Sequence, residues 1–257
     1  MISKEFLSSE FKRLNHAFSN KNQEINDLFH AQIYSGISPR QWKNQKFPAT
    51  CNRHQLLFNS RNVIARYCFN CFKIMITVKN VEDLFKLNFL FKGLNLPDNN
   101  TRKCMINFSP SVEHHYCGYI YFQSYEESVS IYKAILETIT TEISDKVLIK
   151  IKRGCSNYSS AYPDFGKFNS DFDDFVEKNK VSFELQEDLF NKSSLADSLK
   201  ETSLIHHPIK KFTNVDFAVM KKWLSYAKTI GDSSFRNICG ENVEKIKDLE
   251  FSKFPSF

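Results

Sequence analysis

The sequence predicts an α+β fold, and three observations carry that expectation. Four short segments between Phe72 and Arg153 alternate apolar and polar residues with the period of two that a half-buried strand requires. Two longer segments among them repeat apolar residues at helical spacing, each behind a side chain suited to capping a helix. After Gly154 the alternation stops and helical spacing takes over.

At the N-terminus, Phe6, Leu7, Phe11, Leu14 and Phe18 recur at helical spacing. Ser19–Asn22 interrupts them before Ile25, Leu28 and Phe29 resume, so residues 3–34 read as two short helices. Residues 35–50 hold Gly36, Pro39 and Pro48 with little periodicity and read as a loop. Phe72–Val78 is the first strand, with Phe72, Ile74 and Ile76 on one face and Lys73, Met75 and Thr77 on the other. Asn80 caps a helix carrying Val81, Leu84, Phe85, Leu87 and Phe91, and Gly93 is placed to end it. Lys103–Phe108 alternates again, Ser109-Pro110-Ser111 opens a hairpin, and Gly118–Gln123 returns as a third strand. Ser124-x-x-Glu127 forms a capping box ahead of Val129, Ile131, Tyr132, Ile135, Leu136 and Ile139. Val147–Lys152 is the fourth strand, closed by Gly154.

That order, βαββαβ, is the split βαβ arrangement of a ferredoxin-like fold. The expected organisation is a helical, basic Cys/His segment with metal knuckles over residues 1–71 and a ferredoxin-like unit over 72–154. An aromatic loop and mostly helical region over 155–257 packs on that core, with helices at Asp171–Asn179, Leu195–Thr202 and Val215–Ile230.

With 257 residues, 42% hydrophobic and 25% charged, the chain is long enough for a sizeable core and too apolar for wholesale disorder. It is heavy in Lys, Asn, Ile, Ser and above all Phe, a bias that an AT-rich coding sequence produces by itself, so the overall +6 says little about a partner. The distribution of that charge says more. Residues 1–80 hold twelve Lys or Arg against four Asp or Glu, whereas the remainder holds 23 against 25. Between Asp27 and Glu82 there is no acid at all. A segregated positive field of this kind draws nucleic acid, phosphorylated metabolites or acidic head groups. No apolar run approaches the about 18–20 residues needed to span a bilayer, and the first residues lack the apolar stretch of a signal peptide. A cytoplasmic protein with reduced thiols is the expectation, since seven cysteines is an odd number for a disulfide framework.

Inside the acid-free window lie Cys51-x2-His54 and, after a gap of thirteen residues, Cys68-x2-Cys71. Three thiolates and an imidazole in two chelating pairs match the tetrahedral preference of structural zinc. A redox CxxC, an iron–sulfur cluster drawing on Cys104, Cys117 or Cys155, and plain buried thiols are the competing readings.

The third strand, Cys117-Gly118-Tyr119-Ile120-Tyr121-Phe122, places Tyr119 and Tyr121 on one face. Through Gly118, Tyr119, Tyr121 and the helix opening at Ser124, residues 72–153 resemble the RNA-recognition-motif family, which implies that the outward aromatics stack on bases. The segment departs from that pattern at Cys117, Ile120 and Met75, and the resemblance covers under a third of the chain. The same face would carry Lys73, Lys103, Lys150 and Lys152.

Lys150-Ile151-Lys152-Arg153-Gly154-Cys155-Ser156 enters a Gly/Ser turn whose amides could form an anion nest, without P-loop spacing. Neither His114-His115 nor His206-His207 chelates one ion easily, because strand neighbours point to opposite faces. Asp171, Asp173 and Asp174 suit a solvated helix start as well as a cation.

The leading expectation is a zinc-stabilised binding module for nucleic acid or another polyanion. Cys51, His54, Cys68 and Cys71 would hold the metal, and Arg53, Arg61, Arg66, Lys73, Lys150, Lys152 and Arg153 would hold phosphate beside Tyr119 and Tyr121. An enzyme acting on a phosphorylated or acidic small molecule, with Cys155, His54 or His114 as catalytic candidates, is the first alternative. A subunit docking a protein partner through its aromatic half is the second.

Overall fold

The computed structural model describes residues 2–21, 40–43, 48–108, 115–193, 212–241 and 243. The second predicted N-terminal helix, the Ser109–Ser111 hairpin turn, the helix at 195–202, His114 and the His206-His207 pair lie outside them.

The described elements are helix α1 (Lys4–Ala17), strand β1 (Arg40–Lys43), helix α2 (Pro48–Arg61), β2 (Phe72–Val78), α3 (Val81–Gly93), β3 (Arg102–Ile106), β4 (Tyr116–Phe122), α4 (Tyr125–Glu142) and β5 (Leu148–Arg153). They continue with α5 (Ser156–Ala161), α6 (Ser170–Asn191), α7 (Asn214–Ile230) and α8 (Arg236–Cys239). Short 3₁₀ turns at Ser19–Lys21, Arg66–Asn70, Pro163–Gly166 and Ser233–Phe235 join them.

The five strands form one antiparallel sheet in the order β1-β3-β4-β2-β5. Period-two alternation then separates two layers. Ile74 and Ile76 of β2, Ile120 and Phe122 of β4 and Ile106 of β3 are buried against α3, α4 and α7, with Phe85, Phe91, Ile135, Phe217 and Trp223 among the enclosed side chains. Fully burying one such residue is worth about 1.5–3 kcal/mol, so this layer holds the sheet and its helices together.

Caps predicted from single residues are in place. Asn80 Oδ1 accepts from the Asp83 amide at 2.8 Å, and Ser124 Oγ accepts from the Glu127 amide at 3.0 Å. Glu127, expected to complete a capping box, instead accepts from Asn100 Nδ2 at 2.7 Å and ties α4 to the turn before β3. Thr213 and Asp216 form a reciprocal capping box on α7, and Gly231 ends that helix at φ 84°.

Gly118 is required by packing. A Cβ there would lie 2.5 Å from Leu87 Cδ2 and 3.1 Å from the Phe91 ring, so its absence lets α3 close on the sheet. Arg102 is wholly buried, and its Nη1 donates to the carbonyls of Phe91 and Leu94 at the end of α3.

A second apolar cluster joins segments far apart in sequence. Leu57 of α2, Val63–Ala65, Cys68 and Phe69 pack with Tyr158, Phe165, Phe175, Phe183 and Phe190. Residues 48–71 therefore share a core with α5 and α6. Cys51 and His54 sit on an α-helix and Cys68 in a 3₁₀ turn, so no knuckle forms there, contrary to the expectation from CxxH and CxxC spacing. The loop expected over 35–50 also contains β1, which pairs with β3.

Candidate anion-binding face

The sheet face turned away from α3 and α4 is laid out by register. In one row Lys152 of β5 is opposite Lys73 of β2, which is opposite Tyr121 of β4. In the next, Lys150, Met75, Tyr119 and Lys103 follow across β5, β2, β4 and β3. Arg40 of β1 is opposite Met105 in a third row. Alternation in β2 to β5 therefore gathers four lysines around two tyrosines, with Met75, Met105 and Cys117 as an apolar floor, and β1 adds Arg40.

The tyrosine rings lie 6.4 Å apart and tilted by 34°. The Lys103 Nζ is 4.8 Å from the Tyr119 ring centroid and 5.7 Å from that of Tyr121, and the Lys73 Nζ is 5.4 Å from Tyr119, within cation–π range. Tyr119 is buried and its hydroxyl accepts from Asn107 Nδ2 at 3.3 Å. The expectation of two outward-facing tyrosines is corrected at Tyr119, while Tyr121 is half-buried. Lys150 is exposed, Lys103 and Lys152 are half-buried, and Lys73 is buried.

The electrostatics of the face are one-sided. Burial, then the charges of Arg40 and Lys73, push the Lys103 ammonium down to about 7. Burial, then Lys73 and Lys150, push Lys152 down to about 8. Lys152 Nζ donates to Ser156 Oγ at 3.2 Å, and among the described residues no carboxylate pairs with Lys73, Lys150 or Lys152. Crowding like charges in a partly desolvated site disfavours their charged forms, and an anion placed among them would reverse that.

Arg53, Arg61 and Arg66 of the N-terminal window are engaged elsewhere. Arg53 Nη2 pairs with Glu187 Oε1 at 2.9 Å and also donates to Asn191, and the Arg66 amide donates to Glu187 Oε2 at 2.7 Å. The Arg66 guanidinium pairs with Asp188, and Arg61 Nη1 donates to Gln186 Oε1 at 3.0 Å. All three lie against α6 rather than beside the lysines. Arg153 sits at the sheet end with its Cζ 3.2 Å from the Phe172 ring centroid.

Of the four expected zinc ligands, one pair is in contact: His54 Nδ1 is 3.4 Å from Cys68 Sγ, which is 3.7 Å from the Tyr158 hydroxyl. Burial, then Arg53, holds the His54 imidazole down at about 4, so it is neutral. Burial, then Cys155, raises the thiols of Cys51, Cys68 and Cys71, the last to about 12. Among the described residues no three His, Cys, Asp or Glu side chains are grouped to hold one metal ion. No described helix is long and apolar enough to cross a membrane.

No protein-family model, curated protein or solved structure matches the chain. The geometry of the sheet face therefore bears the functional argument alone.

Sequence alternation found the four lysines and both tyrosines. It missed Arg40, because β1 is only four residues long, and it missed Glu187, whose partners are more than 120 residues away.

Proposed function

We propose that the chain is a binding module for single-stranded nucleic acid, with phosphates held by Lys73, Lys103, Lys150 and Lys152 and a base stacked on Tyr121. The observation that carries this reading is the register, which places four lysines on one face around the tyrosines, while no carboxylate among the described residues pairs with Lys73, Lys150 or Lys152. The helix–strand order β2-α3-β3-β4-α4-β5 with the sheet order β3-β4-β2-β5 supports a ferredoxin-like unit, and the Gly118-Tyr119-Ile120-Tyr121 strand supports kinship with RNA-recognition motifs. Titrating a labelled single-stranded oligonucleotide at graded salt tests it, because phosphate contacts make affinity fall with ionic strength.

A phosphorylated small molecule is the second reading, favoured by the burial of Lys73, which suits an enclosed anion better than a passing backbone. Competition by inorganic phosphate at low millimolar concentration would favour it over the oligonucleotide. Zinc at Cys51, His54, Cys68 and Cys71 remains a proposal resting on their spacing and on the His54–Cys68 approach.

A further inference from the structure

At the end of the sheet, on the side opposite Lys152, a cleft of about 450 Å³ is lined by Asn70, Gln123, Ser124, Tyr125, Glu126, Arg153 and Phe168. Arg153 is more than nine-tenths buried, and its Nε and Nη1 are shut off from solvent with no hydrogen-bond partner, which leaves Nη2 as the guanidinium nitrogen that can meet a ligand in the cleft. A buried guanidinium is costly unless its donors are met. Three phenylalanines surround the group, with its Cζ 3.2 Å from the Phe172 ring centroid, 5.0 Å from Phe168 and 5.3 Å from Phe72. Stacking fixes the plane of the guanidinium but satisfies none of its N–H groups. Asp173 acts on it electrostatically without forming an ion pair within 4.0 Å among the described residues.

The 18-residue helix α4 begins in the same cleft. Ser124 Oγ caps the Glu127 amide, while the preceding amides of Tyr125 and Glu126 belong to the first turn, where no carbonyl of the helix can reach them. Free amides, the helix dipole and a guanidinium converging on one cleft are the elements of an oxyanion site. Its outer wall is a stacked pair: the Tyr125 and Phe168 rings lie 4.8 Å apart at 30°, and both residues are exposed.

We infer that this cleft binds a nucleoside monophosphate or a terminal nucleotide, with the phosphate on Arg153 and the α4 amides and the base against Tyr125 and Phe168. The volume suits a ligand of that size. The Glu126 carboxylate in the lining opposes a phosphate placed beside it and can only accept hydrogen bonds, so it suits the amino or imino donors of a base rather than a bare anion. The site is separate from the lysine face and does not depend on it.

The test is calorimetric titration of the full chain with a nucleoside monophosphate, the matching nucleoside and inorganic phosphate. The monophosphate is expected to bind more tightly than phosphate, and the nucleoside at least tenfold more weakly than the monophosphate. Arg153→Gln should weaken the monophosphate at least tenfold. Phe168→Ala should weaken the monophosphate several-fold and leave inorganic phosphate unchanged. The Lys150→Gln/Lys152→Gln variant should keep monophosphate binding while losing oligonucleotide affinity, which separates a failure of this site from a failure of the lysine face. Absence of monophosphate binding to the wild-type chain, equal binding of the nucleoside, or unchanged binding by a folded Arg153→Gln protein would each overturn the inference. If Arg153→Gln does not fold, the Phe168→Ala comparison decides: equal changes for monophosphate and phosphate, or none, reject the site.

Discussion

Lys103 is directly opposite Tyr119 across the β3–β4 pair, and its ammonium nitrogen lies 4.8 Å from the centre of that ring. The contact joins the two properties of the face: a cation held partly out of water, and an aromatic surface whose quadrupole offsets part of that cost. It offsets only part, because Lys103 also faces the charges of Arg40 and Lys73 and titrates near 7.

That depression has a measurable consequence. Near pH 8 Lys103, and to a lesser extent Lys152, are partly neutral before an anion arrives. A bound phosphate favours the charged forms and raises both values, so binding takes up protons. Affinity is expected to weaken as pH rises from 6 to 9. Calorimetry at pH 8 in two buffers of different ionisation enthalpy should show net proton uptake, and zero uptake would contradict the placement of these lysines at the ligand.

Gly118→Ala should destabilise the protein by about 1–3 kcal/mol, the usual cost of overpacking. The new methyl would meet Leu87 and Phe91, and relief requires the Leu87 side chain to swing out of its packed position or α3 to move away from the sheet. Urea denaturation checks this. A loss below about 0.5 kcal/mol, the range of ordinary surface changes, would mean that the close approach of α3 is not tight.

Glu187 is buried and accepts from both the Arg53 guanidinium and the Arg66 amide. Glu187→Gln should cost about 1.5–3 kcal/mol, as expected when hydrogen bonds to a charged group are removed. It should also free positive charge, so affinity for polyanions at low salt should hold steady or rise. A fall in oligonucleotide binding by the folded variant would show that the packing of α6, rather than the lysine face, supports the ligand.

The zinc proposal is checked by metal analysis of the purified chain. If the four residues hold zinc, one equivalent is present and Cys51→Ser loses it together with thermal stability. If the chain is folded and metal-free, and Cys51→Ser is silent, the proposal is discarded.

The sheet from β2 to β5 is legible in the sequence because its signals are local and agree with one another. Alternating residues mark each strand, Asn80 and Ser124 cap the helices between them, and the predicted ends lie within about two residues of those observed. The lysine–tyrosine face follows from the same alternation. What is not legible depends on distant partners. Helix α2 carries Leu56, Leu57 and Phe58 in succession rather than a clean stripe, so its CxxH reads as a turn. Its apolar residues are buried by α5 and α6, and its arginine by Glu187, none of which a local window contains. Alternation assigns Tyr119 to a face, but it does not show that the face is covered there. The unmet donors of Arg153 are likewise invisible to it, because the rings enclosing them come from β2, from the segment between α5 and α6, and from α6 itself.

The most direct test of the central claim is fluorescence anisotropy of a labelled single-stranded oligonucleotide across a salt series, for the wild-type chain and for Lys150→Gln/Lys152→Gln. Lys150 is exposed, Lys152 is half-buried, and neither has a carboxylate partner among the described residues, so the variant should fold as the wild type does. The account predicts salt-dependent binding by the wild type. It also predicts a weaker variant whose log–log salt slope is smaller by roughly 1.4, since each phosphate neutralised on a single strand adds about 0.7 to the slope. No binding by the wild type at low ionic strength, or a folded variant with unchanged affinity and slope, would contradict it.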